Sequence, residues 1–406
     1  MKLVKLDSLS ETVYWTYRSW RKGYTLTNDL RDWAQIIEFK PREVALQKIA
    51  ESWARWQFLS PFFASHGLHI YHLGGPGGPG MPPKHPVSQH TRTEAWPLAR
   101  RGYEDEEDLY FDFVHAVRVW PARDDNGHEV MIRVVSGPEM TDELRAFHRL
   151  NTPEARSDPR NNTLPVLKYL RFDGMVFIVM PRWGSGPFSP FARFSAISEL
   201  FDLVETFYEG LEFLHEKRIA HRDIFRTNLV MNILGYVDTP RFNMRKLGEV
   251  KYAFIDFETC LTFPEDSDLN AVSVEREMRT QVERLGLKPG MCNPFKDDVL
   301  CLALEAQVML RVAEHSLPEV GQFFDWIWAC DYEDTPSATV VLQRLRQLRG
   351  SLSEDQLKQS PAGQFWTKGM RSFLSPHGTS SYLYIFQGAS SPTLRSHITR
   401  YTPPWF

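Results

Sequence analysis

Residues 219–232 read IAHRDIFRTNLVMN, and this polar stretch decides how the rest of the chain is interpreted. It follows the segment ISELFDLVETFYEGLEFLHEKR, whose apolar residues recur at helical spacing. A strand-like run, KYAFIDFE, comes next and carries Asp256 at its end. This order of amphipathic helix, polar loop and strand predicts that Asp223, Asn228 and Asp256 lie together in one site.

These three side chains are suited to phosphoryl transfer. The reaction asks little covalent chemistry of a protein, but it needs a base that orients the incoming hydroxyl and ligands that hold Mg²⁺ across the phosphates. We take Asp223 as the candidate base. Asn228 and Asp256 are the candidate Mg²⁺ ligands, because this hard cation prefers oxygen donors. The motif HRD alone would be a weak indication; the ordered set of elements around it is a stronger one.

The region upstream predicts a small β-rich unit. From Leu109, two β-like runs, LYFDFVHAVRVW and HEVMIRVV, are joined by Asp-Asp-Asn-Gly at residues 124–127, a sequence typical of a hairpin turn. The run MVFIVMP predicts another strand.

Two further helices follow from the pattern. In TDELRAFHRL, Thr141 is placed to cap a short helix, with Leu144, Phe147 and Leu150 on its buried side. The segment DDVLCLALEAQVMLRV is apolar on nearly all sides, which predicts a helix in the interior of a helical unit.

Composition sets limits on partners and compartment. With 42% apolar residues and a formal net charge of −4, the chain is globular and has no overall field that would attract nucleic acid or an anionic membrane. The four cysteines are scattered, without a CxxC pair, which fits reduced thiols. The sequence shows neither a signal peptide nor a long apolar run, so we expect a cytoplasmic or nuclear protein.

The chain resembles the fungal protein-kinase-like family, a group of atypical relatives of eukaryotic protein kinases. The resemblance runs from about Leu109 to Leu345, and EARSDPRNNTLPVL, FIVMP, IAHRD and NPFKDDV carry it most distinctly. It implies an α+β, bilobal protein-kinase-like fold with a small β-rich N-lobe, a larger helical C-lobe and ATP between them. The expected division is a helical N-terminal extension (1–73), a Gly/Pro-rich linker (74–103), the N-lobe (104–182), the C-lobe (183–350) and a C-terminal tail (351–406).

The resemblance also implies roles for individual residues. FIVMP, with Met180, leads into the hinge that would hold adenine. Arg133 takes the position of the lysine that contacts the ATP phosphates, and Glu143 is its expected partner on the following helix. Asp298 would support the backbone of the HRD loop, in which His221 and Arg222 are structural.

Departures from the kinase pattern leave three functions open. YFDFVHAVRVW has no glycine, Arg133 replaces lysine, Phe225 stands where lysine is usual, and Glu258 replaces the glycine of Asp-Phe-Gly. The first alternative is an atypical Ser/Thr-type protein kinase of low activity, because Asp223, Asn228 and Asp256 remain. The second is a pseudokinase that acts as a binding or regulatory module. The third is a small-molecule kinase of the choline or aminoglycoside type, to which Ile-Asp-Phe-Glu is similar.

Overall fold

The structure is a computed structural model, and it describes residues 8–33, 42–73, 80–84, 97–101, 109, 111, 117–184, 194–234, 250–363 and 365–366. Within these residues the fold is mixed α+β, as expected, and is built around a curled antiparallel sheet of five strands. The helices in chain order are α1 (Leu9–Lys22), α2 (Arg42–Ser65), α3 (Asp142–Leu150), α4 (Pro153–Ser157), α5 (Ile197–Glu216), α6 (Thr280–Arg284), α7 (Pro294–Leu310), α8 (Pro318–Ala329), α9 (Ala338–Ser351) and α10 (Glu354–Leu357).

The strands include the five of the main sheet and several short pairs. In chain order they are β1 (Leu68–Ile70), β2 (His72–Leu73), β3 (Gly80–Met81), β4 (Arg100–Arg101), β5 (Val119–Asp124), β6 (Glu129–Ser136), β7 (Lys168–Phe172), β8 (Met175–Pro181), β9 (Ile219–Ala220), β10 (Leu229–Met231), β11 (Ile233–Leu234), β12 (Tyr252–Phe254), β13 (Leu261–Thr262), β14 (Val274–Glu275) and β15 (Met291–Cys292). The main sheet has the order β1-β5-β6-β8-β7.

The predicted hairpin is confirmed, but its first strand is shorter than the sequence indicated. β5 and β6 pair antiparallel, and the turn contains Gly127 with a φ of 84°, in the left-handed region that favours glycine. The expectation of a strand from Leu109 was wrong, since β5 begins at Val119. Phe111 pairs with Gly80 instead, so its backbone hydrogen bonds are made outside the main sheet. Residues 112–116 lie outside the described part of the chain.

The main sheet separates two hydrophobic clusters, and β8 alternates between them. Phe177 and Val179 face a cluster formed with α1 and α2. Val176, Ile178 and Met180 face the other cluster, which includes α3, α5 and α7. This alternation with a period of two means that both faces of the strand are buried.

The first seventy residues contribute to the main sheet. Trp56 of α2 lies over Trp120 of β5, with ring centroids 5.6 Å apart, and its indole N–H donates to the Val117 carbonyl at 3.1 Å. The chain then adds β1 to the edge of the sheet beside β5. The N-terminal segment, whose helices the sequence predicted, therefore covers one face of the sheet and also supplies a strand.

The helices predicted downstream are confirmed. Thr141 caps α3 by accepting a hydrogen bond from the Leu144 N–H at 3.1 Å. α5 and α7 are buried along most of their length. The first residues of the predicted tail pack on this part, since the Trp366 N–H donates to the Val308 carbonyl at 2.8 Å; residues 367–406 lie outside the described part. Among the helices that the structure describes, none is both long enough and apolar enough to cross a bilayer.

Candidate active site

Asp298 holds the backbone of the HRD loop. Its carboxylate lies on α7, is 1% exposed, and accepts hydrogen bonds from the N–H groups of His221 and Arg222, both at 2.7 Å. Arg222 has a φ of 66°, a left-handed conformation that costs a side-chain-bearing residue of order 1 kcal/mol or more. The two charge-assisted hydrogen bonds offset that cost and fix the start of the loop.

Asp223 and Asn228 are in direct contact. The Asn228 amide donates to the Asp223 carbonyl at 2.9 Å and to the Asp223 carboxylate at 3.2 Å. Burial raises the pKa of Asp223, and the negative charge of Asp256 raises it further. The Ile255 N–H donates to the Asn228 carbonyl at 3.0 Å, so the loop lies directly beside the segment that carries Asp256.

Asp256 lies beyond the end of β12 in a left-handed conformation, with a φ of 67°. Its carboxylate accepts a hydrogen bond from Arg133 Nη2 at 2.8 Å. Burial would raise the pKa of Asp256, but the charges of Arg133 and Arg118, the nearby His221 and the backbone of Glu258 together outweigh burial, and the pKa is lowered. Asp256 is therefore ionised in the folded protein near neutral pH.

Arg133 and Glu143 form the pair that the resemblance implied. Arg133 Nε donates to Glu143 Oε1 at 2.5 Å, and the Glu143 side chain is 2% exposed. Burial raises the pKa of Glu143 and the Arg133 charge opposes that rise. The pair joins β6 to α3, so it sets the position of α3 against the sheet.

Two residues that the sequence did not assign to the site complete this network. Arg118 Nη2 donates to Glu143 Oε2 at 2.7 Å, while its Nη1 lies 3.2 Å from Glu258 Oε1. Glu258 Oε2 in turn accepts from Arg133 Nη2 at 3.3 Å. We call Arg118, Glu143, Arg133 and Glu258, in this cyclic order, the arginine–glutamate ring. Glu258, which replaces the glycine of Asp-Phe-Gly, is therefore paired within the ring with two guanidinium groups.

The hairpin register alone gave no signal for Arg118. Val119 lies opposite Arg133 in the β5–β6 register, and the Val134 N–H donates to the Arg118 carbonyl at 3.0 Å. Extending the register from the predicted turn places Arg118 opposite Val134, and strict alternation would send the side chains of Arg118 and Arg133 to opposite faces of the sheet. The Arg118 side chain reaches Glu143 and Glu258 because Arg118 lies just before the start of β5.

Aromatic contacts connect α3 to the HRD loop. Phe257, which follows Asp256, packs against Phe147 of α3 with ring centroids 5.5 Å apart. The Phe257 ring also contacts the His221 ring, with centroids 4.8 Å apart, and His221 Nε2 is 3.0 Å from the Ile255 carbonyl. His221 thus fixes the loop against the segment that carries Asp256.

Arg226 does not supply the charge that Phe225 lacks. Its guanidinium lies over the Phe225 ring at 5.2 Å, and its Nε is 3.3 Å from Glu305 Oε2 on α7. Glu305 is fully buried and also pairs with Arg284. Arg226 is therefore held toward α7.

Met180, which was expected to lead into the adenine-binding hinge, is a buried residue of β8. It lies opposite Met131 in the register of β6 and β8 and is 7% exposed. Beyond it, the Gly184 N–H donates to the carbonyls of Met231 and Ile233, both at 3.1 Å. Residues 185–193, which would continue the expected hinge, lie outside the described residues.

The oxygen donors needed for Mg²⁺ are present, although the described residues hold no cluster of three or more His, Cys, Asp or Glu side chains arranged for a metal ion. Asp223, Asn228 and Asp256 offer carboxylate and amide oxygens, the donor types that this cation prefers. The set fits a cation bound jointly by the protein and by the phosphates of a nucleotide, since such sites use only one or two carboxylates of the protein.

Comparison with the known protein families found none that matches this chain, and comparison with curated proteins found no similar sequence.

Proposed function

We propose that this chain is an ATP-dependent phosphotransferase of the atypical protein-kinase type, related to the fungal protein-kinase-like family, with a bilobal fold and ATP and Mg²⁺ bound between the lobes. The observation that carries the proposal is the convergence of Asp223, Asn228 and Asp256 in one space, with Asp298 fixing the loop. Bound Mg²⁺ would neutralise charge on the phosphates. Asp223 would then orient the hydroxyl of a protein or small-molecule substrate and accept its proton.

The surroundings of Arg133 support the same proposal. In protein kinases a cation on the third strand pairs with a glutamate of the next helix. Arg133 lies on the third strand of the main sheet in chain order, and its partner Glu143 lies on α3. This similarity of arrangement favours phosphate positioning as the function of the pair.

The segment between the site and α7 favours a protein substrate over a small molecule. Residues 259–293 are mainly turns and irregular segments with three strands of two residues each, and the α-helix among them, α6, has five residues. A helical lid over a closed acidic pocket, which would favour a choline-type kinase, is not formed by α6.

A pseudokinase is the second candidate, and the contacts of Asp256 favour it. One oxygen of Asp256 already binds Arg133 at 2.8 Å. A cation would have to share this carboxylate with Arg133. A regulatory module that binds a partner without transferring phosphate would not need a cation at Asp256, so Arg133 could keep this carboxylate.

Thermal melting with and without ATP and Mg²⁺ tests the proposal. A ligand present at a hundred times its Kd stabilises the folded state by about 2.7 kcal/mol. We expect a Mg²⁺-dependent rise in Tm for the wild type and for the exposed control Asp266→Asn, and its loss in Asp256→Asn. No rise at millimolar ATP would contradict a kinase. If ATP binds, transfer of labelled γ-phosphate that falls by at least about a hundredfold in Asp223→Asn supports the enzyme over the pseudokinase.

A further inference from the structure

We propose that Arg118 and Arg133 form a phosphate subsite, that the Glu258 carboxylate fills it in this structure, and that a polyphosphate ligand must displace Glu258. The inference rests on the proposed function for its natural ligand, the phosphates of a nucleotide. Its geometric basis is the arginine–glutamate ring, in which each guanidinium contacts one carboxylate on either side.

The two glutamates of the ring are not equivalent. Glu143 is held at 2.5 and 2.7 Å and its side chain is 2% exposed. Glu258 is held at 3.2 and 3.3 Å and is 17% exposed. Glu143 is thus the fixed inner partner, while Glu258 is the more weakly bound, more accessible partner.

Glu258 is bound as a phosphate would be. One of its oxygens faces Arg118 and the other faces Arg133. A phosphate group offers oxygens of the same kind with more charge, and guanidinium groups bind phosphate and carboxylate in the same planar manner. The subsite adjoins Asp256, because Arg133 Nη2 donates a hydrogen bond to both Asp256 and Glu258.

Arg118 offers phosphates a side-chain partner where protein kinases use the backbone amides of a glycine-rich loop. Residues 103–118, which lead directly into β5, contain no glycine. Arg118 immediately precedes β5, and its side chain is 6% exposed and directed into the site. A guanidinium group at this position would bind phosphate oxygens that backbone amides bind in protein kinases.

The net negative charge of the site explains why Glu258 must move away when a polyphosphate binds. The ring together with Asp256 contains two positive and three negative groups. A polyphosphate entering beside Glu258 would be repelled at a few ångströms in a site partly shielded from water. Once Glu258 turns away, both guanidinium groups can bind phosphate oxygens.

The test measures Kd for tripolyphosphate, ATP and adenosine without Mg²⁺, by titration calorimetry. Glu258→Gln keeps the shape of the side chain and removes its charge. Glu265→Gln removes the same charge from an exposed position on the same segment and is the matched control. Arg118→Met removes the proposed contact, and Arg118→Lys replaces it if the methionine variant fails to fold.

We expect Glu258→Gln to bind tripolyphosphate and ATP about tenfold more tightly than the wild type or Glu265→Gln does. Adenosine should bind all of them equally, and the Arg118 variants should bind the two phosphate ligands at least about tenfold more weakly. Equal binding of tripolyphosphate by the wild type and Glu258→Gln would overturn the inference, even if ATP binds. A gain for tripolyphosphate with no binding of adenosine or ATP would uphold the subsite and count against the proposed function.

Discussion

Asp298 fixes the start of the HRD loop through two backbone hydrogen bonds. It is buried on α7 and accepts two backbone N–H groups, so its removal would leave both donors without an acceptor. We expect Asp298→Ala to lower the free energy of unfolding by about 3–5 kcal/mol, as measured by urea denaturation. Asp298→Asn should cost less, because one oxygen remains. A loss below about 1 kcal/mol, no greater than that of Asp266→Ala, would contradict this account.

Three of the four cysteines should be unreactive in the folded protein. Cys260, Cys292 and Cys301 are buried, and burial raises the pKa of each thiol, to about 11 for Cys292. A raised pKa means that less thiolate, the reactive form, is present at pH 8. Iodoacetamide at pH 8 should therefore alkylate Cys330 first, and mass spectrometry of the digested protein can locate the label. Rapid modification of Cys301 in the native state would show that α7 is less tightly packed than described.

The sequence identified the polar residues of the site that lie in one short loop or directly after a strand. Asp223 and Asn228 are five positions apart, so their contact follows from local spacing. Arg118 was missed, and the ion pairs of Glu258 were not predicted, because these contacts join residues distant in the chain: Arg118 contacts Glu143 across 25 positions, and Glu258 contacts Arg133 across 125. Local patterns carry no information about such pairs until the fold brings them together.

At the scale of elements, the packing of α2 on the sheet gives the N-terminal segment its role. Trp56 is fully buried and contacts rings from β5, β8 and the segment before α2. We expect Trp56→Ala to lower the free energy of unfolding by about 3–5 kcal/mol. Trp20→Ala, which removes the same side chain from a position that is 67% exposed, should change it by less than about 0.5 kcal/mol. Equal effects of the two substitutions in denaturant titrations would refute this role.

Long elements with a clear period were the ones that the sequence could predict. α5 has twenty residues with an apolar stripe, and α3 combines a capping threonine with a strong stripe. β1 was not predicted because three residues are too few to show alternation, and it follows α2 almost without a break. The run from Leu109 had the composition of a strand, but Phe111, within it, pairs with Gly80 outside the main sheet.

Over the whole molecule, α3 joins the sheet to the helical part. At its first residue, Asp142 accepts a hydrogen bond from Thr262 Oγ1 at 2.5 Å. Near its end, Arg149 Nη1 donates to the carbonyls of Lys217 and Phe263 at 2.9 and 2.8 Å. Both ends of the helix are therefore fixed by residues that flank the candidate site in the chain: Lys217 precedes the HRD loop, and Thr262 and Phe263 follow Asp256.

Removal of one of these contacts should loosen α3 without unfolding the protein. In Arg149→Ala we expect the amides of residues 144–150 to exchange hydrogen about tenfold faster, because local opening of the helix no longer has to break these hydrogen bonds. Arg145→Ala removes the same side chain from the exposed side of α3 and is the control. Hydrogen exchange followed by mass spectrometry measures both. Identical exchange in the two variants would show that Arg149 does not restrain the helix.

The pairing of β1 with β5 has a consequence for the kinetics of folding. β1 ends at Ile70 and β5 begins at Val119, whereas β5 and β6 are joined by a tight turn. The entropy lost in closing a loop grows with the length of the loop, so the β5–β6 hairpin can form early. β1 can pair with β5 only after the long connection between these two strands has closed. Until it does, the sheet has an open edge, and a nascent chain at high concentration is exposed there to pairing with a second copy.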